Sequence, residues 1–229
     1  MFAQERIKMT KAVIMLTHHD VTIPNALDVF QGIKNTGIQD IGFKDIGIPF
    51  NESKKLVTAI KKEGIHVYFE VVSTSKDDTI QSARQAAELG VDYIIGGNYF
   101  EEVFAIAREG NIHYYPYVGE IFGRPCSLGG TIDEIFKQAR EYQNRGVDGL
   151  NLLAYRYNGN PDRLIGSVKA AVALPLIIAG SVDSPEKIKF LTSLNISAFT
   201  VGTALFEKQF LPGKSLRDQV TFVVNEARH

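Results

Sequence analysis

Short, almost wholly apolar runs alternate with longer amphipathic ones along the chain. The apolar runs cover 12–18, 40–46, 66–72, 92–97, 112–118, 148–155, 175–180 and 197–202, and such runs predict buried strands. Between them, 24–35, 51–63, 76–89, 100–108, 131–145, 161–172, 184–193 and 214–227 carry apolar residues at helical spacing. Asn51, Thr131 and Ser184 stand where N-caps are expected, with Pro185 in a first turn. Gly37, Gly64, Gly90, Gly110 and Gly146 stand where helices should end. Eight strand–helix units in 229 residues repeat at about 28 residues, the layout of a near-minimal (β/α)8 barrel. No Pro/Ser-rich or low-complexity stretch breaks the alternation, so 1–229 is expected to form one domain. A doubly wound open sheet is the alternative. It would carry a Gly-rich fingerprint after its first strand, where this chain has Thr17-His-His-Asp20.

The two last strands end alike. Leu176-Ile-Ile-Ala-Gly-Ser181 and Phe199-Thr-Val-Gly-Thr203 each run into glycine plus a small hydroxyl residue, then a helical pattern. Backbone N–H groups at such turns, together with a helix N-terminus, suit a phosphate dianion. Gly180, Ser181, Gly202 and Thr203 are therefore the expected phosphate grip, at the loops after strands 7 and 8 where barrels often place one. The bland alternative is that both glycines only permit tight turns.

Net charge is −1, so no basic field marks a nucleic-acid or anionic-membrane partner, and an anion site must be local. The single cysteine, Cys126, excludes a disulfide framework and fits a reducing cytoplasm. The first ten residues carry Glu5, Arg6 and Lys8 and do not read as a signal peptide, and no run approaches a membrane span. Phosphate-loop, Gly-x-Gly-x-x-Gly, His-Glu-x-x-His and Gly-x-Ser-x-Gly motifs are all missing, so no cofactor is expected. Homodimers are common for barrels this small, but no residue argues for one here.

Alternation locates the chemistry. With Ile41 and Phe43 outward on strand 2, Gly42 and Lys44 point inward; with Val67, Phe69 and Val71 outward on strand 3, Tyr68 and Glu70 do. Lys44 and Glu70 then meet on adjacent strands, either as a buried ion pair closing the barrel or as a working acid/base pair. Strand 1 ends His18-His-Asp20, where Asp20 is a general base or a turn residue and His18 a further candidate. A metal held by His18, Asp20 and Glu70 lacks a recurring His-x-Asp pair on a second strand, so none is expected. Strand 6 brings Asn151, a buried amide in need of a partner, and Arg156, placed to contact an anion. Strand 4 ends Gly96-Gly97, leaving room for a ligand. Loop 119–130 holds four glycines with Glu120 and Arg124, a lid-like composition. Cys126 has no histidine near it in sequence and is a poor nucleophile.

Ile177-Ile-Ala-Gly-Ser-Val-Asp-Ser-Pro-Glu-Lys-Ile188 with Phe199-Thr-Val-Gly-Thr-Ala204 resembles the paired phosphate-gripping turns of the ribulose-phosphate-binding barrel superfamily, notably its phosphoribosyl-isomerase and thiamin-phosphate-synthase groups. Phe43-Lys-Asp-Ile46 is faintly similar to the lysine-bearing second strand of the superfamily's decarboxylases, although strand 1 lacks their apolar-Asp ending. Gly42-Phe-Lys-Asp45, Phe69-Glu-Val-Val-Ser73 and Leu152-Leu-Ala-Tyr-Arg156 also resemble a small bacterial group described as hydroxythreonine-phosphate dehydrogenase-like, without a nicotinamide fingerprint. The resemblance implies a barrel enzyme acting on a small phosphorylated sugar or sugar-acid. Lys44 with Glu70 and Asp20 would carry isomerase, epimerase or decarboxylase chemistry. A Schiff-base aldolase through Lys44 and a non-catalytic ligand-binding barrel are the alternatives.

Overall fold

The computed structural model describes residues 9–123 and 125–228. Eight strands form one sheet: β1 (Lys11–Met15), β2 (Asp40–Lys44), β3 (His66–Val71), β4 (Tyr93–Gly96), β5 (His113–Tyr115), β6 (Leu150–Leu152), β7 (Leu176–Ile178) and β8 (Ala198–Val201). All pair in parallel, in the order β6-β7-β8-β1-β2-β3-β4-β5. A parallel bridge between Tyr117 and Asn151 joins the two ends, with the Asn151 N–H donating to the Pro116 carbonyl at 2.9 Å, so the sheet closes as a (β/α)8 barrel. Around it lie α1 (Ala26–Ile33), α2 (Phe50–Lys62), α3 (Lys76–Leu89), α4 (Phe100–Glu109), α5 (Ile132–Asn144), α6 (Pro161–Ala171), α7 (Pro185–Ser193), the short α8 (Thr203–Phe206) and α9 (Leu216–Glu226). Among the described residues, no helix is long and apolar enough to cross a membrane.

Strand alternation divides the core into two layers. Ile41, Phe43, Val67, Phe69 and Val71 pack outward beneath the helices, while Val13, Met15, Tyr68, Ile95, Ile177 and Ala198 fill the barrel. The register places Lys44 opposite Glu70, both on the inward side and next to the upper rim.

Local signals hold at most helix ends. Thr131 and Glu134 form a capping box on α5, Ser184 caps α7 with Pro185 following, and Gly90 ends α3 in the left-handed region. At α2 the cap is Pro49, two residues before Asn51. Its extended ψ turns the chain into the helix, and its carbonyl accepts the Glu52 and Ser53 N–H groups, so no side-chain cap is used. The apolar run through 155 keeps only three residues in β6, because Ala154–Arg156 coils into a 3-10 turn.

Two ribbons decorate the upper rim. Thr17–His18 pairs antiparallel with Val21–Thr22, and Glu120–Phe122 with Ser127–Gly129. The second lies within loop 119–130, where Leu128 is fully buried and bridges to Tyr157 while Phe122 stays exposed.

Candidate functional site

The first ribbon exists to hold Asp20. Its two turn residues, His19 and Asp20, both adopt positive φ (49° and 65°), the type I′ pattern that matches strand twist but disfavours most side chains. Aspartate tolerates this conformation better than most, and strain of this kind concentrates at functional sites. Thr22 pins the ribbon to β2, its hydroxyl donating to the Lys44 carbonyl (2.9 Å) and accepting from the Lys44 N–H (2.8 Å).

Asp20 thereby reaches over the barrel mouth. It accepts two hydrogen bonds from the Arg156 guanidinium (2.5 and 2.8 Å), one from Lys44 Nζ (3.0 Å) and one from the Cys126 N–H (3.2 Å). Lys44 Nζ also lies 3.4 Å from Glu70 Oε2, and Glu70 Oε1 accepts from the Tyr117 hydroxyl at 2.7 Å. The result is one continuous chain, Arg156–Asp20–Lys44–Glu70–Tyr117, across the mouth from β6 to β5.

Burial and charge oppose each other along this chain. Burial alone would raise the Asp20 pKa, but the Arg156 hydrogen bonds and the Lys44 charge reverse that and hold the carboxyl far below the usual range. Burial alone would lower the Lys44 pKa, but Glu70 and Asp20 outweigh it and keep the ammonium above its ordinary value. Tyr117 is pushed well upward by burial and by Glu70, so it serves as a hydrogen-bond donor. Burial likewise raises the Cys126 thiol, which favours the unreactive neutral form.

These groups line a cavity of about 210 Å³. Gly180, Ser181, Gly202 and Thr203 line the same cavity, with the Arg156 side chain lying against Gly180, so the two glycine turns lie at the same end of the barrel and border one space. Among the described residues, the backbone N–H groups of Gly180, Ser181 and Thr203 have no protein acceptor. Gly202 is required by close approach: a Cβ there would stand 2.5 Å from Thr17 Oγ1. Asp183 and Glu207 also border this end; Asp183 pairs with Lys187 at 2.8 Å, and Glu207 faces His18. The cavity is smaller than the roughly 300–1,000 Å³ of drug-sized ligand sites. A larger cavity, about 590 Å³, opens at the other end of the barrel, lined by Tyr68, Tyr93, Tyr115 and Ile177 and remote from both glycine turns.

Lys44, Glu70, Asp20 and Arg156 thus come together with all four turn residues. The remaining candidates stand apart from the cavity wall. His18 turns toward Glu207, with Nε2 3.7 Å from its carboxylate. Asn151 lies inside the barrel beside Ile177 and Tyr117, with neither amide atom hydrogen bonded. The room at Gly96 is taken by the Tyr117 ring, and that at Gly97 by Val103 and Tyr114, so these glycines admit protein rather than ligand. Glu120 is exposed on its ribbon, and Arg124 lies outside the described residues. The pattern reading missed Tyr117 and Thr17. Extending the inward alternation two residues past Tyr115 and Met15 would have found both.

No family model and no curated protein matches this chain. Solved structures do. Orotidine 5'-phosphate decarboxylase from Pyrococcus horikoshii OT3 is 14% identical with a TM-score of 0.68, covering 95% of this chain and 99% of that one. Phosphoribosyl anthranilate isomerase, in complex with reduced 1-(o-carboxyphenylamino)-1-deoxyribulose 5-phosphate, is 15% identical with a TM-score of 0.65 over 96% and 98%. The N-acetylmannosamine-6-phosphate 2-epimerase from Clostridium perfringens is 12% identical with a TM-score of 0.65 over 96% of each chain. The resemblance to phosphosugar-handling barrels read from strands 7 and 8 therefore holds at the level of fold.

Proposed function

We propose that this barrel is an enzyme that moves a proton on a small phosphorylated sugar, as an isomerase or epimerase does. The observation that carries the reading is the buried Lys44–Glu70 pair lining the same cavity as the two glycine turns. An ion pair serving only to close the barrel would have no cavity above it. The turns grip the phosphate through backbone N–H groups, and that remote binding energy fixes the reacting carbon over the pair. Glu70 takes the proton from the carbon beside the carbonyl, and the Lys44 ammonium stabilises the enediolate oxygen that forms. Glu70 returns its proton to the former carbonyl carbon while the Lys44 ammonium relays the hydroxyl proton from one enediol oxygen to the other, which completes an isomerisation. An epimerisation instead needs a second acid to protonate the opposite face of the same carbon. Asp20, anchored by Arg156, keeps Lys44 charged. The solved relatives include enzymes named for phosphorylated sugar compounds, which agrees with this class.

Charge balance narrows the substrate. Both cavity cations, Lys44 and Arg156, already face Asp20 or Glu70. Among the described residues lining the cavity, a sugar-acid carboxylate would meet those anions without a free cation, so an uncharged carbon chain fits better there than a sugar acid. The same charges disfavour imine formation, because a neutral amine is needed to attack a carbonyl.

A panel of phosphorylated aldoses, ketoses and sugar acids, incubated in deuterated solvent, tests this reading. Expected is incorporation of deuterium at the carbon beside the carbonyl of one neutral sugar phosphate, lost in Lys44→Met. Borohydride trapping of a covalent adduct on Lys44 would overturn it in favour of an aldolase.

A further inference from the structure

The ribbon that presents Asp20 also carries donors the cavity does not use. The His18 and His19 rings lie with centroids 3.8 Å apart and planes tilted by 32°, and one ligand atom each from His18, His19 and Glu207 lies within 4.8 Å of the others. The two segments are tied together: the His19 N–H donates to Thr203 Oγ1 at 3.1 Å, and Thr203 opens the short helix that Glu207 caps at its C-terminus. Donors from the ribbon after β1 and from the end of α8 after β8, His18 and Glu207 being 189 positions apart in sequence, are thus held on one rim.

Two features are unexplained by an ordinary surface ion pair. His18 Nε2 is shielded from solvent yet has no hydrogen-bond partner, although an isolated imidazole–carboxylate pair can close to about 2.7–3.2 Å. At 3.7 Å from Glu207, it stops short. Ligand atoms on a tetrahedral ion with bonds of about 2.0–2.1 Å stand roughly 3.3 Å apart. The His18–Glu207 gap is close to that figure, and rotation of the exposed His19 ring supplies the remaining contraction. The second feature is Glu207 itself, an anion bordering the end of the cavity assigned to phosphate. If the phosphate reading holds, an uncompensated carboxylate there opposes binding; a divalent ion removes the conflict.

We propose that His18, His19 and Glu207 bind one divalent ion of the zinc class at the rim between β1 and β8. Two imidazoles and one carboxylate form the donor set such ions prefer, and three protein ligands leave a position open for water or a ligand oxygen. Binding itself does not rest on the phosphate reading.

The full chain, stripped with chelator, is titrated with Zn(II) by calorimetry and with Co(II) by visible absorption. Expected are one ion per chain and the intense d–d bands of low-coordinate Co(II). His19→Ala and Glu207→Gln, both at exposed positions, should each weaken affinity by about tenfold or more. His113→Ala, at the opposite end of the barrel beside Asp148, should leave it unchanged. The proposal is overturned by the absence of a stoichiometric Zn(II) site, or by a site that survives both ligand substitutions. Inorganic phosphate titrated into the metal-free protein reads the glycine turns separately, so failure of one site does not imply failure of the other.

Discussion

Replacing Lys44 tests how the site balances its charges. Lys44 Nζ is 3.0 Å from Asp20 and 3.4 Å from Glu70. A unit-charge pair at 3.4 Å is worth about 5 kcal/mol at an effective dielectric of 20, and desolvation of both groups takes back much of that. Removing one member of a buried pair generally costs about 3–5 kcal/mol, because the partner is left uncompensated. In Lys44→Met, Arg156 still neutralises Asp20 and Tyr117 still bonds Glu70. We therefore expect a loss of about 2–3 kcal/mol, or roughly 4–12 °C in Tm for a chain of this size. Glu70→Gln, which keeps the shape, should cost about 1–2 kcal/mol. The double variant should be less destabilised than the sum by about 1–2 kcal/mol, since the stranded carboxylate is gone. Turnover should fall by about a thousandfold or more in either single variant and not recover in the double. Urea unfolding of the four proteins gives the cycle, and the deuterium-exchange assay gives turnover. Coupling below about 0.5 kcal/mol would refute the shared field. Wild-type turnover in Lys44→Met would refute the chemistry.

Two further outcomes follow from the same geometry. Asp20 has a folded pKa held below its unfolded value, so its contribution to stability is present above the unfolded value of about 4 and is lost as pH falls below it. Lys44 is raised, so its contribution is present below about pH 10.4 and is lost as pH climbs beyond it. The contributions of these two groups should be flat between these limits, and Asp20→Asn should flatten the acid limb of a urea-midpoint profile; an unchanged acid limb counts against the pairing. Gly202→Ala should weaken phosphate binding by about tenfold or more and destabilise by about 1–3 kcal/mol, because the new Cβ meets Thr17 Oγ1 at 2.5 Å. Calorimetry with inorganic phosphate checks this, and an unaltered affinity would remove Gly202 from the grip.

Strand alternation and the eightfold repeat were legible in the chain because they follow from local periodicity. Apolar runs must be buried, and a period of two sends Lys44 and Glu70 to the side opposite Phe43 and Phe69 wherever the strands lie. The glycine–hydroxyl endings of β7 and β8 were equally plain, since close backbone approach demands glycine at fixed offsets. What no local pattern encodes is distance across the barrel. Arg156 and Asp20 are 136 positions apart, and the curvature of the closed barrel brings a 3-10 turn after β6 against a ribbon after β1. That contact turns Asp20 from a candidate base into a fixed anion. The same tertiary packing fills the space at Gly96 with the Tyr117 ring and buries Leu128 of the second ribbon. Residue type determined which groups face inward; tertiary structure decided which charges they meet, and hence which of them can still move a proton.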